Sequence, residues 1–359
     1  PATLTPDLDQ MLLHDPVCGG WLHFERLLER ICIYSLSEIP AALEEIEKQV
    51  EGNGRWAAGF LSYEAAPAFD AALQVKPLSG AGFPLLWFGI YQPPTHLSGR
   101  LGGAAAELPP AAWTADIGEP DYHAAILKVK EYIARGHTYQ GNFTYRLKTP
   151  WSDPAYPVFA ALAGAHTAPY AAYLETERWA LCSISPELFF TLNGETLTSR
   201  PMKGTAPRGR LLEDDQGWAE WLYHSEKNRA ENVMIVDMLR NDLGRIARTG
   251  SVRVPQLFQI EKYSTVWQMT STVQAETSAG LEAILAALFV MTLRDFTGSM
   301  LLGYLIGVPV FIVLAQLLLF RRGMPMYLIA KQLFLKEPDE SLSMKEIKIT
   351  DPASSRLLS

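Results

Sequence analysis

An unbroken run of 22 uncharged residues, 299–320, constrains the fold more than any other part of the sequence. A helix of that length can cross a bilayer, and Arg321 and Arg322 follow it directly. The alternative is a buried core helix. We expect a membrane-spanning helix here. The run also explains much of the mean hydropathy of +0.02.

Composition limits the remaining choices. The chain has 359 residues, enough for about two domains, and 48% of them are hydrophobic. It carries 31 basic and 39 acidic residues, a net charge of −8, with no basic block, which argues against nucleic-acid binding. Three scattered cysteines (Cys18, Cys32, Cys182) favour neither a disulfide framework nor a zinc site. With no signal peptide apparent, we expect a cytoplasmic protein, membrane-associated only through 299–320.

Groups of short apolar strands alternate with long helical stretches along the chain, a pattern typical of an α+β fold. We divide the sequence into an N-terminal α+β region at 1–92 and a linker rich in Pro, Gly and Ala at 93–120. A catalytic region follows at 121–289, and a divergent apolar helical tail occupies 290–359. The helical pattern of the catalytic region is strongest from Glu213 to about Ile246.

Glu187 is the first candidate for chemistry. It follows a proline and precedes Leu188, Phe189 and Phe190, so its carboxylate is expected at the end of a sheet, facing a partly dry space. Such a position suits general acid–base catalysis. By residue type alone, a surface glutamate on a strand edge is the commoner outcome.

Lys203 and Gly204 are the second candidate, in the stretch RPMKGTAPRG at 200–209. Prolines and glycines fix an irregular backbone around one lysine, and a lysine held in a rigid, partly apolar turn can lose its proton and act as a nucleophile. Gly204 lets a ligand approach the backbone. An exposed turn with a solvated Lys203 is the alternative.

Glu231 is the third candidate, on the expected helix KNRAENVMIVDMLRNDLG at 227–244. It shares a face with Met234 and Met238. A carboxylate on an apolar helix face is costly unless it is paired or bound to a metal, so Glu231 is a candidate ligand for Mg²⁺. A structural ion pair with Arg229 or Lys227 is equally compatible with the pattern.

The ordered combination of these stretches resembles the chorismate-utilising enzymes. It consists of SPELFF, RPMKGTAPRG, the 227–244 helix and VRVPQLFQIEKYSTVWQMTSTV, with FLSYEAAPAFD, PLLWFGIY and YQGNFTYRL upstream. Within that family the chain is most similar to component I of the aminodeoxychorismate synthases, over residues 20–289. The resemblance implies large antiparallel sheets with flanking helices.

The resemblance also implies roles for individual residues. Lys203 matches the lysine that attacks the ring of chorismate, and Glu187 matches the general acid–base. Gly204 and Thr205 match the loop that contacts the substrate. Glu231 matches a ligand of Mg²⁺, the implied cofactor.

Two further features bear on the reaction. Anthranilate and isochorismate synthases, the alternative activities, have alanine where this chain has Lys203. They also have histidine where it has Gln268. No cysteine lies in a turn typical of a glutaminase nucleophile, so the resemblance implies a separate glutamine amidotransferase subunit that supplies ammonia.

The family's landmark Gly-Ser-x-Thr-Gly-Ala-Pro-Lys loop is missing after Phe289. We therefore expect the C-terminal part of the fold to be truncated and replaced by the apolar helical tail. A non-catalytic, membrane-tethered chorismate-binding remnant is the corresponding alternative to an active aminodeoxychorismate synthase of the para-aminobenzoate branch of folate synthesis.

Overall fold

The structure is a computed structural model. It describes residues 6–17, 19–52, 54–71, 73, 75, 83–99, 101, 113–137, 143, 145–150, 154–165, 168–290, 315–320 and 326–331. Cys18, part of the predicted linker and most of the predicted tail lie outside these residues.

Seventeen strands are present in this described part of the chain. They are β1 (Met11–Asp15), β2 (Gly20–Phe24), β3 (Leu27–Ile33), β4 (Trp56–Leu61), β5 (Leu86–Tyr91), β6 (Thr95–Leu97), β7 (Thr114–Ala115), β8 (Leu147–Lys148), β9 (Ala172–Glu175), β10 (Ala180–Ser183), β11 (Leu188–Asn193), β12 (Thr196–Arg200), β13 (Met202–Pro207), β14 (Arg253–Lys262), β15 (Val266–Glu276), β16 (Ala315–Phe320) and β17 (Met326–Lys331).

Six α-helices accompany the strands in the same residues: α1 (Ile39–Val50), α2 (Glu119–Ala134), α3 (Ala155–Ala165), α4 (Leu212–His224), α5 (Glu226–Gly244) and α6 (Leu281–Leu285). Short helical turns at Leu36–Glu38, Tyr63–Ala68 and Ala286–Val290 complete the described elements. The helical spacing of Ile39, Leu43, Ile46 and Val50, with a glycine stop at 52, predicts a helix at 37–52. The structure confirms it as α1, in which these four residues are buried.

The chain divides into two compact units. The first comprises 1–107, 154–300 and 312–333, and the second comprises 108–153, 301–311 and 334–359. In the second unit the described residues form α2 and the two-stranded β7–β8 sheet. All the candidate site residues belong to the first unit.

Two antiparallel sheets form the first unit, which confirms the expected α+β class. One has the strand order β10-β9-β1-β2-β6. The other has the order β13-β15-β12-β11-β17-β16-β4-β5-β3, with β14 also paired to β15. Helix α5 packs against β13 and β15. Its Val236, Leu239 and Leu243 enter a core shared with α1, β4, β5 and α6.

The prediction of a membrane helix over 299–320 is wrong for its last six residues. Residues 315–320 form β16, which pairs with β4 on one side and with β17 on the other. An uninterrupted apolar run fits a central strand as well as a buried helix, and periodicity alone cannot separate them. The predicted helical tail is wrong for β17 as well, while 299–314 lie outside the described residues.

Among the helices that the structure describes, none combines the length and the apolar character needed to cross a membrane. The stretch predicted to be strongly helical, from Glu213 to about Ile246, contains two helices, α4 and α5, which are separated at Ser225. The backbone of Ser225 is extended, and its side chain accepts a hydrogen bond from the backbone N–H of Asn228. Ser225 therefore caps α5, and this local bond competes with continuation of α4.

Candidate active site

Lys203 lies in a β-bulge on β13. Met202 pairs with Thr270 and Thr205 with Gln268, so Lys203 and Gly204 together oppose the single residue Met269. A bulge interrupts the ladder and redirects a side chain, and bulges are common beside active sites. The irregular backbone predicted around Lys203 is thus confirmed as a bulge within a strand, which we call the lysine bulge (Lys203–Gly204).

Gly204 has a φ of +100°, a conformation that side-chain-bearing residues rarely adopt. It also lies against α5: a Cβ atom built at this position would be 3.0 Å from Cβ of Asn228. Glycine is therefore required at residue 204 for two reasons, the backbone angle and the close approach of the helix.

Glu187 lies immediately before β11 and is half-buried. Its Oε1 accepts a hydrogen bond of 3.1 Å from the backbone N–H of Met202, the residue before Lys203. Its own N–H donates to Oγ of Ser185 over 3.2 Å, and that hydroxyl is 3.2 Å from the Glu187 carbonyl oxygen. The sheet therefore brings Glu187 to the start of the lysine bulge, as the prediction of a carboxylate at the sheet end requires.

Thr205 follows the lysine bulge and pairs with Gln268 across β13 and β15. Its hydroxyl donates to Oε1 of Gln268 over 3.0 Å. The two residues that the sequence singled out separately are thus neighbours on one sheet.

Glu231 lies on α5, half-buried, one residue before Asn232, which contacts the lysine bulge. Within the described part of the chain, no three His, Cys, Asp or Glu side chains form a group that could hold a metal ion. Mg²⁺ typically takes one or two carboxylates and keeps several waters, so Glu231 can supply one ligand but does not make a site by itself.

Asn232 and Ser271 are functional candidates that the sequence reasoning missed. Both are fully buried. Ser271 Oγ donates to Asn232 Oδ1, and Asn232 Nδ2 donates to the Lys203 carbonyl oxygen over 3.4 Å. One sequence signal could have found Asn232: it precedes Val236 by four residues, at the head of the apolar stripe of α5. An amide in that position needs a buried partner.

Arg200 on β12 and Glu261 on β14 form an ion pair. Glu261 Oε1 also accepts from Thr270 Oγ1 over 2.7 Å, and Oε2 accepts from the Tyr263 hydroxyl over 3.1 Å. Burial, reinforced by the Glu261 charge, raises the pKa of Tyr263, which therefore stays a neutral hydrogen-bond donor. Sequence reasoning also missed this group, because its partners are as many as 61 residues apart.

Asp215 anchors the far end of β13. Arg208 donates to both of its carboxylate oxygens over 2.6 Å, and Gly209 N–H and Trp267 Nε1 add bonds of 2.9 Å. The hydrogen bonds from Arg208 hold the pKa of the Asp215 carboxyl well below its usual range. Arg208 is thus part of a fixed ion pair.

Together these contacts hold Lys203 in a bulge of β13. The Glu187 carboxylate binds the backbone of Met202 at the start of that strand, and Asn232 of α5 binds the bulge itself. A lysine amine and a carboxylate are the kinds of group that nucleophilic substitution with general acid–base assistance requires.

Comparison with known proteins identifies the family. Residues 100–291, more than half of the chain, match the family described as chorismate binding enzyme, and the chain belongs to that family. The family resemblance expected from the motifs is therefore confirmed.

Curated relatives include two with the same description. The aminodeoxychorismate synthase component 1 of Bacillus subtilis (strain 168) is 42% identical over 173 residues, covering 48% of this chain and 37% of the relative. That of Escherichia coli (strain K12) is 38% identical over 171 residues, covering 48% and 38%. The anthranilate synthase component 1 of Thermus thermophilus is 36% identical over 206 residues, covering 57% and 45%. The matched region spans less than half the length of each of these relatives.

Solved structures share the fold. Anthranilate synthase component I from Streptococcus pneumoniae TIGR4 superposes with a TM-score of 0.64 at 17% identity, covering 91% of this chain and 82% of that one. The menaquinone-specific isochorismate synthase MenF from Escherichia coli gives 0.60 at 13% identity, covering 92% and 79%. At these identities the likeness establishes the architecture of sheets and helices alone.

Proposed function

We propose that the chain acts as component I of an aminodeoxychorismate synthase, converting chorismate and ammonia to 4-amino-4-deoxychorismate for the para-aminobenzoate branch of folate synthesis. One observation carries the proposal: Glu187 binds the backbone of Met202, directly before a lysine that a bulge holds out of the regular ladder. The two aminodeoxychorismate synthase relatives support the same assignment.

In the proposed reaction, the Lys203 amine forms a C–N bond to the ring of chorismate, and the C–O bond to the 4-hydroxyl breaks. Glu187 donates the proton with which that hydroxyl leaves as water. Ammonia then forms the new C–N bond to the ring, and the bond to Lys203 breaks with return of the amine. Gly204 and Thr205 contact the substrate.

Mg²⁺ is part of the proposal as a cofactor, with Glu231 as one of its ligands. When bound, the ion neutralises a carboxylate of chorismate. Glu231 is suited to this role by its place on the helix that contacts the lysine bulge. The remaining ligands would be water and substrate oxygens, because the described residues offer no cluster of carboxylates.

A separate glutamine amidotransferase subunit is the proposed source of ammonia. A thiol acts as a nucleophile only as the thiolate. Burial raises the pKa of Cys182 to about 12, which suppresses its thiolate at neutral pH. The designation "component 1" of the relatives is in keeping with a second component.

Anthranilate synthesis is the second candidate, supported by the relative from Thermus thermophilus. Lys203 and Gln268 distinguish the two candidates, because the resemblance associates alanine and histidine at these positions with anthranilate synthesis. The hydroxyl of Thr205 binds Gln268, so this residue is held beside the proposed substrate loop.

Product analysis separates the candidates. We would incubate the purified chain with chorismate, Mg²⁺ and an ammonium salt and identify the products by chromatography and mass spectrometry. Aminodeoxychorismate is expected from the wild type and none from Lys203→Ala. Lys48→Ala is the matched control, because Lys48 pairs with Glu44 on the exposed face of α1. Anthranilate as the product, or a folded protein without turnover, would contradict the proposal.

A further inference from the structure

We propose that Asn232 is a positioning residue that fixes the lysine bulge and so directs the amine of Lys203 toward the substrate. The proposal rests on the function proposed for Lys203. It is carried by a chain of hydrogen bonds that joins Lys203 on β13 to Phe258 on β14 through two fully buried side chains.

The orientation of the Asn232 amide is determined by its two neighbours. The Lys203 carbonyl oxygen can only accept a hydrogen bond, so the amide nitrogen of Asn232 must face it. A flipped amide would place two acceptor oxygens against each other. Oδ1 therefore faces Ser271, whose hydroxyl proton it accepts.

The hydroxyl of Ser271 is oriented in the same way. The backbone N–H of Phe258 donates to Ser271 Oγ over 3.1 Å, which leaves the hydroxyl proton for Asn232. The bonds therefore run in one direction, from Phe258 N–H to Ser271 and from Ser271 to Asn232. The amide of Asn232 makes the final bond to Lys203. Every polar atom in the series has a defined donor or acceptor role.

The series joins two distortions of the sheet. On β14, Gln256 pairs with Thr272 and Gln259 with Thr270, so Leu257 and Phe258 oppose Ser271 alone. Phe258 has a φ of +60°, uncommon for a residue with a bulky side chain. The lysine bulge lies on the other side of β15. A strained bulge and the lysine bulge are thus held by the same two side chains.

This arrangement fixes the direction in which the Lys203 side chain leaves the strand. The bulge takes the Lys203–Gly204 peptide out of the regular ladder, and Asn232 supplies a hydrogen bond to its carbonyl oxygen. Without that bond the peptide plane can rotate, since Gly204 has no side chain to restrain it. The rotation displaces the Lys203 Cα and the amine at the end of the side chain.

The experiment compares Asn232→Ala with Val236→Ala. Val236 is a buried residue one turn further along α5 and lies in the apolar core, so it controls for loss of packing. Displacement of a reacting group by about 1 Å can cost about 100-fold in rate. We expect a fall in kcat of about that size for Asn232→Ala with KM little changed, and a kcat within about two-fold of wild type for Val236→Ala.

Asn232→Asp supplies the second variant should the alanine variant fail to fold. It keeps the acceptor for Ser271 and removes the donor to Lys203, so kcat should fall here too. A kcat at the wild-type level in either folded Asn232 variant, or an equal loss in Val236→Ala, would overturn the positioning role.

A second readout does not require turnover. Modification of Lys203 by a small amine-reactive reagent, followed by peptide mass spectrometry, should change in rate in the Asn232 variants and not in Val236→Ala. If the wild type makes no aminodeoxychorismate, the proposed function fails. Lys203 labelling that is the same in all the variants overturns the positioning of this side chain, whatever the reaction.

Discussion

Replacement of Gly204 by alanine tests the geometry of the lysine bulge most sharply. The left-handed region open to residues with side chains is centred near a φ of about +60°, and Gly204 lies at +100°. Holding alanine there costs about 1–3 kcal/mol. The new Cβ would also lie 3.0 Å from Asn228 Cβ, and overpacking of this kind costs about 1–3 kcal/mol more.

Gly194→Ala is the matched control. Gly194 lies in the turn between β11 and β12 with a φ of +61°, and a Cβ built there meets no atom within 4 Å. Gly194→Ala therefore measures only the free energy of holding alanine in the left-handed conformation, about 1–2 kcal/mol. Urea titration should give a loss of unfolding free energy for Gly204→Ala of about 2–6 kcal/mol, the sum of the strain and overpacking costs.

A second substitution separates the two contributions. All three atoms nearest the added Cβ belong to the side chain of Asn228. In a double-mutant cycle, Asn228→Gly added to Gly204→Ala should therefore restore the unfolding free energy lost to overpacking and leave the loss caused by the backbone angle. Equal losses for Gly204→Ala and Gly194→Ala, or no coupling to Asn228→Gly, would refute the account of the bulge.

Further predictions concern stability and reactivity. Ser225→Ala removes the cap of α5 and should cost about 1 kcal/mol of unfolding free energy in urea titration. Arg208 holds the pKa of Asp215 below its ordinary value of 3.8, so this stabilisation is complete above that pH and is lost as the pH falls below it. The unfolding free energy that Asp215→Asn loses relative to wild type should therefore be largest near neutral pH and smaller in acid. An equal loss at neutral and at acidic pH would contradict the ion pair as the cause of the lowered pKa. Glu261→Gln breaks a partly buried ion pair and should cost about 1–3 kcal/mol by the same assay. Cys182, with a pKa of about 12, should react slowly with iodoacetamide at about pH 8 in the native protein and faster after unfolding; rapid native labelling at Cys182 itself, located by peptide mass spectrometry, would contradict the raised pKa.

The antiparallel α+β class and helix α1 could be predicted from the sequence because their signals are local. Periodic apolar residues and a glycine stop define α1. The course of 315–320 could not be predicted in this way. An uncharged apolar run satisfies a membrane helix, a core helix and a central strand alike, and only its partners β4 and β17 distinguish them.

The charged residues of the candidate site could be predicted from the sequence, but the buried polar residues that hold the lysine bulge in place could not. Glu187, Lys203 and Glu231 stood out as charged groups in apolar or rigid surroundings. Asn232 is marked in the sequence only as an amide at the head of an apolar helical stripe, and Ser271 is not marked at all, because their role comes from two bulges on opposite sides of β15. Bulges depend on strand register, which is a property of the assembled sheet and has no short sequence signal. The roles assigned to the three charged residues stay predictions.

Trapping of the covalent adduct tests the central claim directly. The wild type would be mixed with chorismate and Mg²⁺ without ammonia, quenched in acid and analysed by mass spectrometry of the intact chain and its peptides. The proposed reaction predicts an added mass of one chorismate less one water, located on Lys203 and absent from Lys203→Ala. Formation of aminodeoxychorismate on addition of ammonia, with no modification of Lys203 at any time before it, would contradict the claim.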